Sequence, residues 1–389
     1  MIALLFLGGC GSTPGAPAHD GGADLALGDG GTADRPSGAD ATATDGSRDA
    51  AKDSAAKDAT ATDALPSDCQ TGANGQATEL RCTGLYSDWA TKTVASGVRQ
   101  YDPGLHLWSD GANKTRWLYL PPGTKIDTTD MDEWTFPTGT KVWKEFAVGG
   151  ARLETRLLWK RPNRGWYFTT YRWSSDGAST TELTTGELDA GGTGFEIPTQ
   201  SACHDCHDGR LDAVLGIEAV ALSTPQASGV TISTLVAGNL LTAPPSSPVT
   251  IPGDATEAAA LGYLHMNCGT SCHNRVNGPA GYTGLQMRLD VGTLASVMTT
   301  DTWTTGMGVH ANFPVTGLTN PKNFAPCDPD HSSSYYRMNR RDGVDGTPSG
   351  VQMPPKITHK VDAEGVALIG AWLSGLSQCS ASGTTSAAP

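Results

Sequence analysis

The stretch Leu153-Glu-Thr-Arg-Leu-Leu-Trp159 alternates as a β-strand does, and it guides the interpretation of the residues around it. Its odd positions are mostly apolar and fall on one face, whereas charged side chains occupy the other. The next run, Trp166-Tyr-Phe-Thr-Thr-Tyr-Arg-Trp173, is rich in aromatic residues that favour strands. Pro-Pro-Gly and Pro-Thr-Gly turns punctuate the preceding residues. We therefore expect an antiparallel β-rich domain over residues 67–200.

The tryptophans of this predicted domain allow two interpretations. Aligned on one exposed face, they would form a sugar-binding platform. Distributed through the sheet, they would supply core and cross-strand packing, which is the interpretation we prefer because a sequence alone does not reveal one-sided stacking. The residues concerned are Trp117, Trp134, Trp143, Trp159, Trp166 and Trp173.

After residue 200 the pattern changes to loops with a few helices. Asp254, with Glu257 three residues later, predicts the start of a capped helix. A closing helix is predicted to begin at Asp362. One apolar stripe along that helix should face the core; it consists of Val366, Ile369, Leu373 and Leu376.

The N-terminus has the pattern of an exported protein. The run Met1-Ile-Ala-Leu-Leu-Phe-Leu-Gly-Gly-Cys10 resembles a bacterial lipoprotein signal. That resemblance implies lipid modification of Cys10 and a place in the cell envelope, either periplasmic or anchored to the outer membrane. The membrane would then be a partner only through the lipid, because no later stretch is apolar for the roughly twenty residues that span a bilayer.

Small and polar residues dominate 11–66, and such a composition predicts a disordered tether. Residues 381–389 are predicted to form a disordered tail. Much of the formal net charge of −13 comes from the tether. This acidity argues against nucleic acid as a partner.

Nine cysteines carry most of the functional argument. The first close pair lies in Cys203-His204-Asp205-Cys206-His207, here called the first motif. Two thiols at this spacing can add to the two vinyl groups of haem, and His207 can then bind the iron. A Cys-x-x-Cys pair can also hold zinc or form a redox disulfide. The exported context, without a thioredoxin-like β-α-β pattern, favours haem.

The second motif, Cys268-Gly269-Thr270-Ser271-Cys272-His273, has one residue more than the usual spacing. We expect a second covalent haem here, with His273 as its iron ligand. The alternatives are a local disulfide between Cys268 and Cys272, or pairing of these cysteines with others.

Distal iron ligands can also be proposed from the sequence. Met353, in Met353-Pro-Pro355, is the candidate for the second haem, with Met338 as a less favoured choice. His265 is a candidate for the first haem, ahead of His204.

The other cysteines fit an oxidising compartment. Cys69 and Cys82 flank a short glycine-containing loop and are expected to pair. Cys327 and Cys379 would then be left to connect the last helix to the loop that carries Pro326. Both pairings are hypotheses from parity alone.

From about residue 85 to 376 the chain resembles bacterial c-type cytochromes with an N-terminal β-rich region and one or two haem-binding segments. The resemblance implies a multidomain α+β fold: the β-rich domain, a first haem-binding segment over 201–250, and a mostly α-helical cytochrome c-like domain over 251–380. It also implies one or two haem c groups and electron transfer. The matching stretches are Leu107-Trp-Ser-Asp-Gly111, Tyr119-Leu-Pro-Pro-Gly-Thr124, Trp134-Thr-Phe-Pro-Thr-Gly-Thr140, Arg152-Leu-Glu-Thr-Arg156, Tyr263-Leu-His-Met-Asn-Cys268, Met353-Pro-Pro355 and Val361-Asp-Ala-Glu-Gly-Val-Ala-Leu-Ile-Gly-Ala-Trp372.

Three functions follow as hypotheses. The leading one is an electron carrier that exchanges electrons with an unidentified redox protein. The second is a dihaem peroxidase or oxidase subunit, which needs one iron with a displaceable sixth ligand. The third is a module without haem, in which the cysteines hold zinc or disulfides and the aromatic β-domain binds a surface polymer.

Overall fold

Six consecutive strands form the central sheet of the computed structural model, which describes residues 67–313, 315–377 and 379. Each strand of this sheet is antiparallel to the next, in the order β3-β4-β5-β6-β7-β8, and a separate hairpin, β1-β2, precedes it. The antiparallel β-rich region is thus confirmed. The strands are β1 (Tyr86–Asp88), β2 (Thr93–Val94), β3 (Val98–Tyr101), β4 (Asn113–Tyr119), β5 (Lys141–Val148), β6 (Ala151–Arg161), β7 (Gly165–Trp173) and β8 (Thr180–Glu182).

A tight two-residue turn joins β5 to β6 and fixes their register. Val148 pairs with Ala151, and the two residues between them are Gly149 and Gly150, with φ of 57° and 86°. A hairpin turn of this kind needs positive φ at both central positions, which glycine adopts without steric cost. The local sequence therefore aligns the two strands that carry the site described below.

One face of the sheet packs against the chain that precedes it. Trp117, Trp143 and Trp173 on this face are at most 5% exposed and form a cluster with Leu80 and Leu85. Trp134 is buried in another cluster, and Trp159 and Trp166 are half-buried. The preferred packing role of the tryptophans is confirmed, and the sugar-binding platform is wrong because these rings are not displayed on an open face.

The opposite face of the sheet is covered by residues that follow residue 200. Leu118, Leu158 and Phe168 pack here in one cluster with residues such as Val214 and Leu261. The charged residues that alternate along β6 lie on this face, and Glu154 is fully buried. Alternation correctly predicted the strand, but the charged face is turned inward.

The helices are α1 (His204–His207), α2 (Ala219–Ser223), α3 (Ile232–Ala237), α4 (Ala255–Leu264), α5 (Asp301–Gly306), α6 (Ser333–Met338) and α7 (Ala363–Ser374). Within the described part of the chain, only α4 and α7 reach ten residues. The fold is therefore α+β. The mostly α-helical domain expected over 251–380 is not found in the described residues, where long Gly- and Pro-containing loops separate short helices.

Both predicted helix starts are confirmed. The Asp254 side chain accepts hydrogen bonds from the amides of Thr256 and Glu257, and the Glu257 side chain accepts one from the amide of Asp254. Asp362 caps α7 by accepting from the amide of Gly365. The predicted apolar stripe of α7 is buried in one cluster together with Ala260 and Leu264 of α4.

Two disulfides form as predicted, between Cys69 and Cys82 and between Cys327 and Cys379. All described residues belong to one compact unit, and the core beneath the sheet draws on both sides of residue 200. The lipidation candidate Cys10, the tether 11–66 and the tail 381–389 lie outside the described residues. In the part that is described, no helix is both long enough and apolar enough to cross a bilayer.

Candidate functional site

The first motif lies directly below strand β7. A short 3-10 turn, Ser201–Cys203, leads into α1, and Cys203 packs at the edge of the core under the sheet. The ring of Phe168 lies 5.1 Å from the ring of His207. The Nδ1 of His207 is 2.5 Å from the carbonyl oxygen of Ala213. Burial lowers the pKa of His207 to about 4, so this imidazole is neutral at pH 7.

The second motif follows α4 through a π-helical turn, His265–Gly269. The amide of Thr270 donates to the carbonyl of His265, and the amide of His273 donates to that of Cys268, each at 2.8 Å. Both bonds span five residues, which is one more than an α-helix allows. The additional residue of this motif is therefore accommodated in regular hydrogen-bonded backbone.

The His273 side chain is 8% exposed. Its Nδ1 is 3.2 Å from the carbonyl oxygen of Leu285. Burial lowers the pKa of this imidazole, and the Arg337 guanidinium lowers it further. His273 thus repeats the environment of His207, although the two motifs are about sixty residues apart in sequence.

The hydrogen bonds fix the same tautomer for His207 and His273. A carbonyl oxygen can only accept, so Nδ1 must carry the proton in each neutral ring. The lone pair is then on Nε2. A histidine that ligates a metal commonly donates its other ring N–H to a backbone carbonyl, which orients the ring and makes it more basic. Both residues have this arrangement.

The four motif cysteines, Cys203, Cys206, Cys268 and Cys272, are free thiols. The alternative of a local disulfide between Cys268 and Cys272 is therefore not formed in this structure. Burial raises the pKa of all four thiols, to about 12 for Cys268 and about 11 for Cys272. At neutral pH they are protonated.

The two motifs pack against each other, which neither sequence pattern reveals. A side chain at Gly209 would place its Cβ 1.8 Å from the carbonyl oxygen of Ser271. The Asn274 side chain crosses between the segments and donates to the carbonyl of Gly209 at 3.2 Å. The thiol of Cys206 lies close enough to Cys272 to raise the pKa of the Cys272 thiol.

A cavity of about 560 Å³ opens between the sheet and the two motifs. Cys206, His207 and Cys272 line it from the motif side. Leu158 and Val214 supply apolar walls, and Arg116, Lys144 and Arg156 line it from the sheet. A space of this size with mixed apolar and charged walls suits a flat, largely apolar ligand that carries anionic groups.

The Met353-Pro-Pro355 loop lies near both motifs. Pro354 and Pro355 line the cavity, and Lys356 pairs with Asp205 of the first motif at 3.6 Å. The amide of Met353 donates to the carbonyl of Arg337, whose guanidinium influences His273. The Met353 side chain is half-buried and does not line the cavity. Met338, the less favoured candidate, is buried in the core between α4 and α7.

His265 is fully engaged by protein groups. Its Nδ1 accepts from the amide of Leu289 at 2.9 Å, and its Nε2 donates to Glu218 at 3.3 Å. In this arrangement neither ring nitrogen is available to iron, so we do not retain His265 as a distal ligand. His204 is exposed and pairs with Asp208 at 3.0 Å.

The described residues contain no group of three or more His, Cys, Asp and Glu side chains arranged to hold a metal ion. A structural zinc site needs four such ligands, whereas haem iron takes four of its ligands from the porphyrin.

Sequence reasoning missed the cations of the cavity wall, Arg116, Lys144 and Arg156. Each has an apolar or aromatic neighbour on only one side along its strand, and alternation does not distinguish solvent from an internal cavity. The only available signal was that three neighbouring strands each place a cation on the same face. Comparison of the chain with protein-family models, curated proteins and solved structures gives no match.

Proposed function

We propose that this chain is a c-type cytochrome that binds haem covalently at both motifs and transfers electrons in the cell envelope. Cys203 and Cys206 would hold one haem with His207 on its iron. Cys268 and Cys272 would hold the other, with His273 as ligand. Met353 is the proposed distal ligand at the second iron.

The observation that carries this proposal is the shared environment of the two histidines. Each is neutral, follows a pair of free thiols, and donates from Nδ1 to a backbone carbonyl; His273 is buried and His207 is half-buried. An exposed histidine next to two cysteines by chance would need none of these features. A redox disulfide would not need an adjacent imidazole whose Nδ1 donates to a backbone carbonyl and whose Nε2 is left unprotonated.

Haem, when bound, supplies an iron that cycles between two oxidation states, and the protein sets its ligands and exposure. His207 and His273 would hold the iron through Nε2, and the carbonyls of Ala213 and Leu285 keep each ring in the tautomer that leaves Nε2 unprotonated. Leu158 and Val214 supply apolar walls beside the first motif. Because the motifs are in contact, electrons would pass between two haems over a short distance.

The packing of α4 against α7 supports a cytochrome c-like arrangement of the second motif. The helix that precedes the motif and the closing helix of the chain share one buried cluster. Tyr263 packs directly over Gly365, where an added Cβ would lie 2.3 Å from Cζ of the ring. We propose that this helix pair forms the scaffold for the second haem, with the Met353 loop on the other side.

The cell envelope is proposed from three features. The first ten residues resemble a lipoprotein signal with lipidation at Cys10, and residues 11–66 have the composition of a spacer. The two disulfides fit an oxidising compartment. The partner would be another redox protein, and the membrane would be contacted through the lipid.

Haem counting after expression with haem-attachment machinery tests the proposal. The wild type should carry two haems that survive denaturing electrophoresis. Cys203→Ser/Cys206→Ser and Cys268→Ser/Cys272→Ser should each carry one. The exposed His204→Ala variant is the control and should keep both, whereas a wild type without covalent haem would refute the proposal.

A second candidate function is an oxidase or peroxidase centred on the first motif. It is favoured by one observation: among the described residues that line the cavity beside His207, none is a methionine. An iron there with a weak or exchangeable sixth ligand could react with peroxide. Rapid peroxide turnover, lost in His207→Ala and kept in His273→Ala, would support this function over electron transfer alone.

A further inference from the structure

Three cations lie side by side on the cavity wall. In the register of the sheet, Arg116 on β4 pairs with Lys144 on β5, and Lys144 pairs with Arg156 on β6. All three line the cavity that Cys206 and His207 close from the other side. We call Arg116, Lys144 and Arg156 the cationic row. Like charges directly opposite each other on neighbouring strands destabilise a sheet.

The acids near the cationic row offset only part of its charge. Glu154 pairs with Arg156 at 2.5 and 3.0 Å. Asp102 is 3.7 Å from Arg116 and also pairs with His106 at 2.6 Å. Among the described residues no acid forms an ion pair with Lys144, and its contact is with the Phe146 ring at 5.1 Å.

Lys144 is the least compensated member of the row. Burial lowers the pKa of Lys144 well below its ordinary value, and Arg116, Lys114 and Arg156 lower it further, whereas Glu154 acts in the opposite direction. Lys114 lies on the same sheet face and donates to the carbonyl of Leu107, so it brings a further positive charge. The sheet side of the cavity therefore has more basic than acidic side chains, whereas Glu196, Asp205 and Asp208 line the cavity elsewhere.

We propose that Arg116, Lys144 and Arg156 bind the carboxylate groups of the molecule that fills this cavity, and that these are the propionates of the haem attached at the first motif. This inference rests on the proposed function. A haem attached at Cys203 and Cys206 would bring two carboxylates into the cavity that the cationic row lines. Arginine and lysine bind carboxylates by charge-assisted hydrogen bonds, which are strongest where water is excluded.

Reduction potentials test the cationic row on the holoprotein. Lys144→Gln should retain two covalent haems but lower the potential of one of them. The potential falls because an ionised propionate without its cation favours the oxidised, more positive iron. It should also become pH-dependent in the weakly acidic range, since the unpaired propionate binds a proton more readily. Lys144→Arg keeps the positive charge, so its two reduction potentials and their pH dependence should match those of the wild type.

Arg152→Gln is the matched control. Arg152 lies on the other face of the same sheet, where it pairs with Glu145 at 3.2 Å, and its loss should leave both potentials unchanged. Unchanged potentials and pH profiles in Lys144→Gln would overturn the inference. The inference would also be overturned if added oxalate shifted the reduction potentials of the wild type in a saturable way and did not shift those of Lys144→Gln. The cationic row would then bind a soluble anion. A wild type without covalent haem instead fails the proposed function itself, and haem staining reveals this before any potential is measured.

Discussion

Glycine 209 decides how closely the two motifs approach. Its φ is not in the left-handed region, so its importance is purely steric: a Cβ would lie 1.8 Å from the backbone oxygen of Ser271. Backbone on both sides leaves no flexible side chain to move away. The contact between segments that are distant in sequence therefore depends on a missing methyl group.

We expect Gly209→Ala to destabilise the protein by at least the roughly 1–3 kcal/mol that is typical of overpacking. Urea unfolding followed by tryptophan fluorescence measures the change. Gly292→Ala is the control: no atom lies within 4 Å of its added Cβ, so it should change the free energy of unfolding by less than about 0.5 kcal/mol. Equal effects of the two substitutions would show that Gly209 is not a contact point.

Glu218 is a buried acid whose charge the fold maintains. Burial alone would raise its pKa, but His265, Arg210 and the amide of Ala221 hold the pKa at about 2. A carboxyl group with a depressed pKa stabilises the folded state above its ordinary pKa of 4.5. That stabilisation is lost as pH falls toward 2.

The wild type should therefore lose on the order of 3 kcal/mol between pH 5 and pH 2 through this one group. Glu218→Gln should be less stable at pH 7 and show a flatter decline in acid. Unfolding curves at several pH values measure both effects. Glu364 is exposed, so Glu364→Gln should lose stability in acid as the wild type does. If the stability of Glu218→Gln also fell in parallel with that of the wild type, Glu218 would not be the group responsible.

At the scale of elements, the crossing of α4 and α7 depends on Gly365. An added Cβ would lie 2.3 Å from Cζ of Tyr263. In an exposed helix, Gly→Ala stabilises by about 1 kcal/mol. Here we expect the opposite sign, because the tyrosine ring fills the space.

Gly365→Ala should lower the free energy of unfolding in the wild type and raise it in a Tyr263→Leu background, where the ring is absent. The double-mutant cycle thus predicts a change of sign, which thermal or urea unfolding of the four proteins reports. A stabilising Gly365→Ala in both backgrounds would mean that the helices do not approach closely at this point.

The elements show which features the sequence could predict. Period-two alternation located β6, the Asp254 and Asp362 caps located α4 and α7, and parity assigned both disulfides. These features are local, or follow from counting. The burial of Glu154 could not be predicted, because alternation gives the face of a strand but not what covers it.

For the whole molecule, the contact between the motifs could not be predicted either. It depends on long loops that return the second motif to the first, and loop paths carry no periodic signal. The resulting arrangement combines one sheet, two cysteine motifs and one charged cavity. A cofactor that bonds to thiols, takes a neutral imidazole and carries carboxylates matches all of these features together.

Intact mass spectrometry of the protein, expressed with haem-attachment machinery, tests this assignment most directly. We predict a mass increased by two haem groups, with peptide mapping that places one on Cys203 and Cys206 and one on Cys268 and Cys272. A chain whose four thiols are all unmodified would contradict it.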